Sequence, residues 1–314
     1  MSLIIHASPL QGFTDFRFRN ALHKYFRGID FFYAPYIRLN GKREFKKSEE
    51  RDILPKNNPG LKLIPQIMTR DAEEFLFVAK YIQDLGYKEL NWNLGCPYSM
   101  VAKRGMGSGL INDFTKIDEI LDKVFAEADI SVSIKIRLGY NSNDEILKVL
   151  PVFDKYPLKN IAIHPRIGKQ FYKGPVDLDS FQNCLDSSNH QIIYNGDIRS
   201  VADYLKLKEK FPSLNNWMIG RGLISNPFLP GMIKNNTQEY PDDRFEIFSK
   251  FHDSLFEEYS QVLSGAGHLL MKMYQFWTYF ISSFPNSPKG LKKIKKAKSI
   301  NAYQDAVMDI LNKT

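Results

Sequence analysis

Eight short apolar, β-rich runs recur along this chain, and their spacing limits the fold more than any other feature. They occupy residues 3–8, 30–33, 63–66, 90–93, 132–137, 160–164, 191–195 and 217–220. Their starts lie roughly 26 to 42 residues apart, room for a strand, a crossover helix and the return. The intervening stretches carry a helical period. Residues 71–85 place Ala72, Phe75, Leu76, Ala79 and Ile82 on one face, and Gly86 follows where a helix would end. Residues 114–126 and 201–211 repeat the pattern. Eight strands alternating with helices predict an α/β fold, a closed (β/α)8 TIM barrel. A doubly wound open sheet is the alternative, because a strand count does not prove closure.

The character changes after Gly220-Arg221-Gly222. Residues 236–243 are polar and contain Pro241, which reads as a linker; beyond 242 the pattern is helical and rich in aromatics such as Phe248, Phe251, Phe276, Trp277 and Phe280. The expected organisation is a barrel over 1–240 and a smaller C-terminal helical domain over 241–314. The 43% hydrophobic and 25% charged composition excludes disordered and low-complexity classes. No apolar run approaches the roughly 18–20 residues of a membrane span. The first residues lack the basic and apolar regions of a secretory leader, and two cysteines, Cys96 and Cys184, make no disulfide framework. A cytoplasmic protein is expected. Lys and Arg number 43 against 35 Asp and Glu, a net charge of +8 that favours anionic partners. Part of that excess is a dense run, Lys289, Lys292, Lys293, Lys295, Lys296 and Lys298, able to neutralise phosphates or simply to solvate a helix face.

In an α/β barrel the chemistry belongs at the C-terminal ends of the strands. Those positions hold Pro9 and Leu10 after the first run, Gln66 on the third, Asn93 and Cys96 after the fourth, and Lys135 and Arg137 on the fifth. His164 and Arg166 follow on the sixth, Asn195-Gly196-Asp197 on the seventh, and Gly220-Arg221 on the eighth. Glycines in the last two turns let backbone N–H groups approach an anion.

The segments His6-Ala7-Ser8-Pro9-Leu10-Gln11-Gly12-Phe13-Thr14-Asp15, Asn91-Trp92-Asn93-Leu94-Gly95-Cys96-Pro97 and Gly105-Met106-Gly107-Ser108-Gly109, in this order, resemble motifs of the tRNA-dihydrouridine synthases. Ser133 through Gly139, His164-Pro165-Arg166 with Tyr172-Lys173-Gly174, Asn195-Gly196-Asp197-Ile198 and Met218 through Gly222 extend the resemblance over about residues 5–230. Members are FMN-dependent barrels that reduce the C5–C6 bond of uridine in tRNA with NADPH as reductant. The resemblance implies Cys96 as the acid that protonates C5. It places Pro9, Leu10, Gln66, Lys135, His164, Asn195, Gly196, Asp197, Gly220 and Arg221 around FMN, and Asn93, Arg137 and Tyr172 at the target base. It implies a helical tail that holds tRNA, no metal, no membrane and no obligate protein partner. Arg137-Leu138-Gly139-Tyr140 is similar to a bacterial branch acting at D-loop position 16. The chain departs from the pattern at Ser8 and Leu10, at Ser99-Met100 where a basic residue is usual, and at Pro165 and Ile167 around Arg166. An FMN oxidoreductase of a small pyrimidine or enone, and a catalytically silent tRNA-binding protein, are the competing readings.

Overall fold

The structure is a computed structural model that describes residues 2–39, 43–284 and 288–312. Nine strands form one sheet: β1 (Ile4–Ala7), β2 (Phe31–Tyr33), β3 (Leu63–Ile64), β4 (Gln66–Ile67), β5 (Glu89–Leu94), β6 (Ser131–Gly139), β7 (Ile161–Ile167), β8 (Ile192–Tyr194) and β9 (Asn216–Ile219). Their order is β3-β2-β1-β9-β8-β7-β6-β5-β4. The pairs from β1–β2 through β8–β9 are parallel. The ends of that order, β3 and β4, are separated in sequence by Pro65 alone, so the order returns on itself as a (β/α)8 TIM barrel. Pro65 explains the ninth strand. It has no N–H to give the ladder, so the expected third run divides into a half that pairs with β2 and a half that pairs with β5.

The chain between strands forms α1 (Phe16–Tyr25), α2 (Lys47–Ile53), α3 (Ala72–Asp84), α4 (Ser99–Ala102), α5 (Phe114–Glu127), α6 (Glu145–Phe153), α7 (Leu178–Ser187) and α8 (Val201–Lys210). Side-chain caps fix several starts: Asp71 accepts from the Glu74 N–H at 2.9 Å, and Asp113, Asp177 and Ser200 do the same for α5, α7 and α8. Gly86, at φ +91, follows α3 in the left-handed conformation expected there. After β9 come α9 (Arg221–Ser225), α10 (Leu229–Lys234), α11 (Arg244–Ser260), α12 (Ala266–Phe280), α13 (Pro288–Lys296) and α14 (Ile300–Leu311).

The chain forms two compact units. The first comprises Met1–Gln11, Asp30–Gly196 and Pro212–Met218; the second comprises Gly12–Ile29, Asp197–Phe211 and Ile219–Thr314. Within the first, strand alternation separates two buried faces. Along β5, Leu90, Trp92 and Leu94 are fully buried, and Trp92 meets Phe75 of α3 edge to face. The opposite face of β5, inside the barrel, presents Glu89, Asn91 and Asn93. In the second unit the core is aromatic: Phe18, Phe248, Phe251, Phe276, Trp277 and Phe280 are buried together. Tyr303 joins them, its hydroxyl meeting His252 at 2.6 Å and the Trp277 indole at 3.0 Å.

Candidate active site

Cys96 sits just past β5 in a turn held from both sides. The Asn93 carboxamide oxygen accepts from the Gly95 and Cys96 N–H groups, each at 3.0 Å, and the Cys96 carbonyl accepts from the Ser108 hydroxyl at 2.8 Å. Gly107, at φ +55, passes directly beneath. A Cβ there would stand 2.8 Å from the Cys96 Cβ, so this approach requires glycine. The thiol is buried at 7% exposure among Met68, Val101, Tyr36 and Met106. Burial pushes its pKa up, against hydrogen bonds from the Tyr98 N–H and the Tyr36 hydroxyl and the positive charge of Arg137 and Arg38. The net result is a thiol that stays protonated at neutral pH.

Asn93 and Gln66 belong to a buried polar chain through the barrel. The Asn93 amide donates to Gln66 at 2.7 Å, Gln66 donates to Asn91 at 2.7 Å, and Asn91 donates to the Ser133 hydroxyl at 2.9 Å. Ser133 donates to Glu89 at 2.6 Å, and Glu89 accepts from Lys159 at 2.5 Å. Parallel register explains the assembly: Gln66 stands opposite Asn91, Asn91 opposite Ser133, and Asn93 opposite Lys135.

The next turn of that register brings the cationic residues together. Arg137 stands opposite His164. It is 2% exposed, donates to the Gly95 and Ile167 carbonyls at 3.0 and 3.1 Å, and lies 5.3 Å from the Tyr172 ring centroid. Burial lowers its pKa to about 10, partly offset by Tyr172, which leaves it charged at neutral pH. Tyr172 stacks on His164 with centroids 6.0 Å apart. Arg166 donates to His164 Nε2 at 3.1 Å and to the Gly174 carbonyl at 2.6 Å. A guanidinium only donates, so Nε2 accepts and the His164 proton sits on Nδ1 in the neutral ring. Arg166 thus clamps the loop to Gly174 and orients His164.

Lys135 has no hydrogen bond or ion pair among the described residues. Burial and the Arg137 charge push its pKa down to about 7. A recessed amine beside another cation would be held in its charged form by an anionic group. After β8, Asn195 donates to the Met218 carbonyl at 2.8 Å, and a Cβ on Gly196 would stand 2.3 Å from the Tyr194 hydroxyl and 2.6 Å from its ring. Glycine is required at 196 because the Tyr194 side chain occupies the space that a Cβ would take. Pro9 and Leu10 are half-buried after β1. The remaining expected residues, Asp197, Gly220 and Arg221, belong to the second compact unit. There Arg221 donates to Asp197 at 2.7 Å, so this carboxylate orients the guanidinium.

Cys96, Asn93, Gln66, Arg137, His164 and Tyr172 thus form one connected set, with Lys135 beside Arg137. Sequence reasoning missed Tyr36, whose hydroxyl meets the Cys96 thiol and whose own pKa burial raises to about 12. It also missed Asn91, Ser133 and Glu89. The alternation Glu89-Leu90-Asn91-Trp92-Asn93-Leu94 is the signal that could have found two of them. Cys184 is a fully buried thiol of α7, with its pKa raised to about 12, chiefly by burial.

Comparison with known proteins agrees with this fold. Among solved structures, morphinone reductase superposes with a TM-score of 0.55 at 10% identity, covering 79% of this chain and 88% of that one. A variant of NCR from Zymomonas mobilis superposes at 0.51 and 11%, covering 78% and 90%. At such identities the likeness establishes the fold alone. A "Probable tRNA-dihydrouridine synthase" of Staphylococcus aureus (strain COL) is 27% identical over 271 residues, 81% of this chain and 77% of that protein. The "tRNA-dihydrouridine synthase B" of Pasteurella multocida is 26% identical over 226 residues, 72% and 67%. The dihydrouridine synthase family model matches residues 5–309. The chain belongs to the dihydrouridine synthase family.

Proposed function

We propose that this protein is a tRNA-dihydrouridine synthase that uses FMN and NADPH to reduce a D-loop uridine of tRNA. The observation that carries the reading is a buried, protonated thiol, Cys96, within one connected set that includes Arg137 and Tyr172 and has the unpaired Lys135 ammonium beside it. The residues fit an anionic flavin. Lys135 is buried, has its pKa lowered, and lacks an acidic partner among the described residues, so an anionic group beside it would hold it in its charged form. In this reading Lys135, Gln66, His164, Pro9, Leu10, Asn195 and Gly196 would hold FMN, and the family resemblance assigns Asp197, Gly220 and Arg221 to its phosphate. When bound and reduced, FMN would supply the hydride for C6 of uracil.

The protein's own groups do the rest. Cys96 gives its proton to C5, leaving a thiolate that solvent reprotonates, so the ring gains one hydride and one proton. Arg137 donates to a uracil carbonyl, Tyr172 packs on or bonds to the base, and Asn93 offers its remaining N–H. The Arg137 charge beside the new thiolate limits the cost of releasing the proton. The target leaves its stack to reach this site, which costs least in a loop, hence the D-loop. Position 16 is the expected target. Residues 1–240 carry the chemistry in the cytoplasm, while 241–314 hold the tRNA.

The test is to incubate the purified protein with NADPH and tRNA from cells lacking dihydrouridine, then to map the product by mass. The reading expects one D-loop uridine to gain two mass units and free uridine to remain unreduced. Reduction of free uridine without tRNA, or of neither, contradicts it.

A further inference from the structure

We infer that Tyr98 and Phe171 form a stacking platform for the nucleobase next to the target uridine, a proposal that rests on the tRNA reading above. The two rings meet edge to face with centroids 5.9 Å apart, yet both stay in solvent, Tyr98 at 55% and Phe171 at 37% exposure. Met100, two residues after Tyr98, is 79% exposed. Large apolar groups clustered in water mark an interaction site rather than a core. The backbone bears this out at Phe171, whose φ of +53 and ψ of −100 lie where side chains with a Cβ are disfavoured. A fold that holds an aromatic residue there against its backbone preference does so for what the ring touches.

That conformation parts two adjacent rings. Tyr172 turns to His164 and Arg137 inside the site, while Phe171 turns to Tyr98. The platform also abuts the reacting residue, because the Tyr98 N–H bonds the Cys96 thiol. Exposed Lys169 and Lys173 flank Phe171, and exposed Lys103 and Arg104 follow Met100. Flat apolar faces ringed by cations suit a single-stranded nucleotide, whose base has a π face and whose phosphate is anionic. An extruded uridine leaves its neighbour without a stacking partner, and the platform supplies one.

The experiment compares wild type with Tyr98→Ala and Phe171→Gly in the full-length protein, using unmodified tRNA and D-arm hairpins carrying an abasic nucleotide on either side of the target. Both variants should raise the KM for tRNA by roughly 5- to 100-fold, the range set by loss of one stacked base. Flavin content and NADPH-driven flavin reduction should stay at wild-type values. Phe171→Gly should also melt no lower than wild type, since glycine accepts this backbone; a ring serving only to pack would lower both stability and turnover. One of the two abasic hairpins should weaken wild type by the same factor and the variants no further. Unchanged KM in both variants, with wild type active on tRNA, overturns the platform alone. A wild type that reduces no tRNA uridine overturns both the platform and the reading beneath it.

Discussion

Cys96 stands under opposing influences, and their balance decides whether it can act as an acid. Burial resists the thiolate; the Tyr36 hydroxyl, the Tyr98 N–H and the charges of Arg137 and Arg38 favour it. Burial wins, so the proton is present at neutral pH, and the opposing groups keep its release within reach. Tyr36→Phe tests this balance. Losing the hydroxyl removes a bond that favours the thiolate, so the thiol pKa rises further. Because Cys96 is already protonated at neutral pH, the alkaline limb of the rate profile should move to higher pH while turnover at pH 7 falls less than about tenfold. An alkaline limb that stays in place would detach Tyr36 from the thiol. Tyr36 was not legible in the sequence, since it lies 60 positions before Cys96, in the loop after β2. Cys96 was legible because its glycine-rich surroundings, including Gly107 beneath it, are local in sequence.

At the scale of elements, the barrel interior is a layer of paired polar side chains. Asn91 is its middle member, donating to Ser133 and accepting from Gln66 while fully buried. Asn91→Leu leaves both partners buried without their bond. At about 1–3 kcal/mol for each of the two orphaned groups, the variant should lose about 2–6 kcal/mol in a denaturant titration. A loss under about 1 kcal/mol would show that the layer is hydrated rather than internally satisfied. The strands themselves were readable from their spacing, and α3 even from its helical period and its stop at Gly86, while its cap at Asp71 came only from the structure. The division of the third run was not, because Pro65 breaks the ladder only when a strand flanks it on each side. The polar layer stayed hidden for a related reason: Gln66, Asn91 and Ser133 meet through register between separate strands, which no local pattern encodes.

At the scale of the whole molecule, the members of the C-terminal lysine run are unequal. On α13, Ile294 is buried while Lys289, Lys292, Lys293, Lys295 and Lys296 are exposed, and Lys293 is paired with Asp309. Replacing Lys292, Lys295 and Lys296 with Gln leaves that pair intact. If each meets a phosphate of irregular RNA, the salt slope of tRNA binding should shrink by about 0.7 per lysine, roughly two units. An unchanged slope would make the run a solvated helix face. The aromatic stripe of α12 contributes no such surface, for Phe276, Trp277 and Phe280 are fully buried.

The central claim, that Cys96 protonates a uridine of tRNA, is tested most directly by rapid mixing of NADPH-reduced enzyme with tRNA, wild type against Cys96→Ala. NADPH should bleach both proteins alike, because Cys96 is not among the groups proposed to hold the flavin. Reoxidation by tRNA should slow in the variant by about 10²–10⁴-fold, the usual cost of losing a general acid. Reoxidation of Cys96→Ala at the wild-type rate would show that the proton comes from elsewhere.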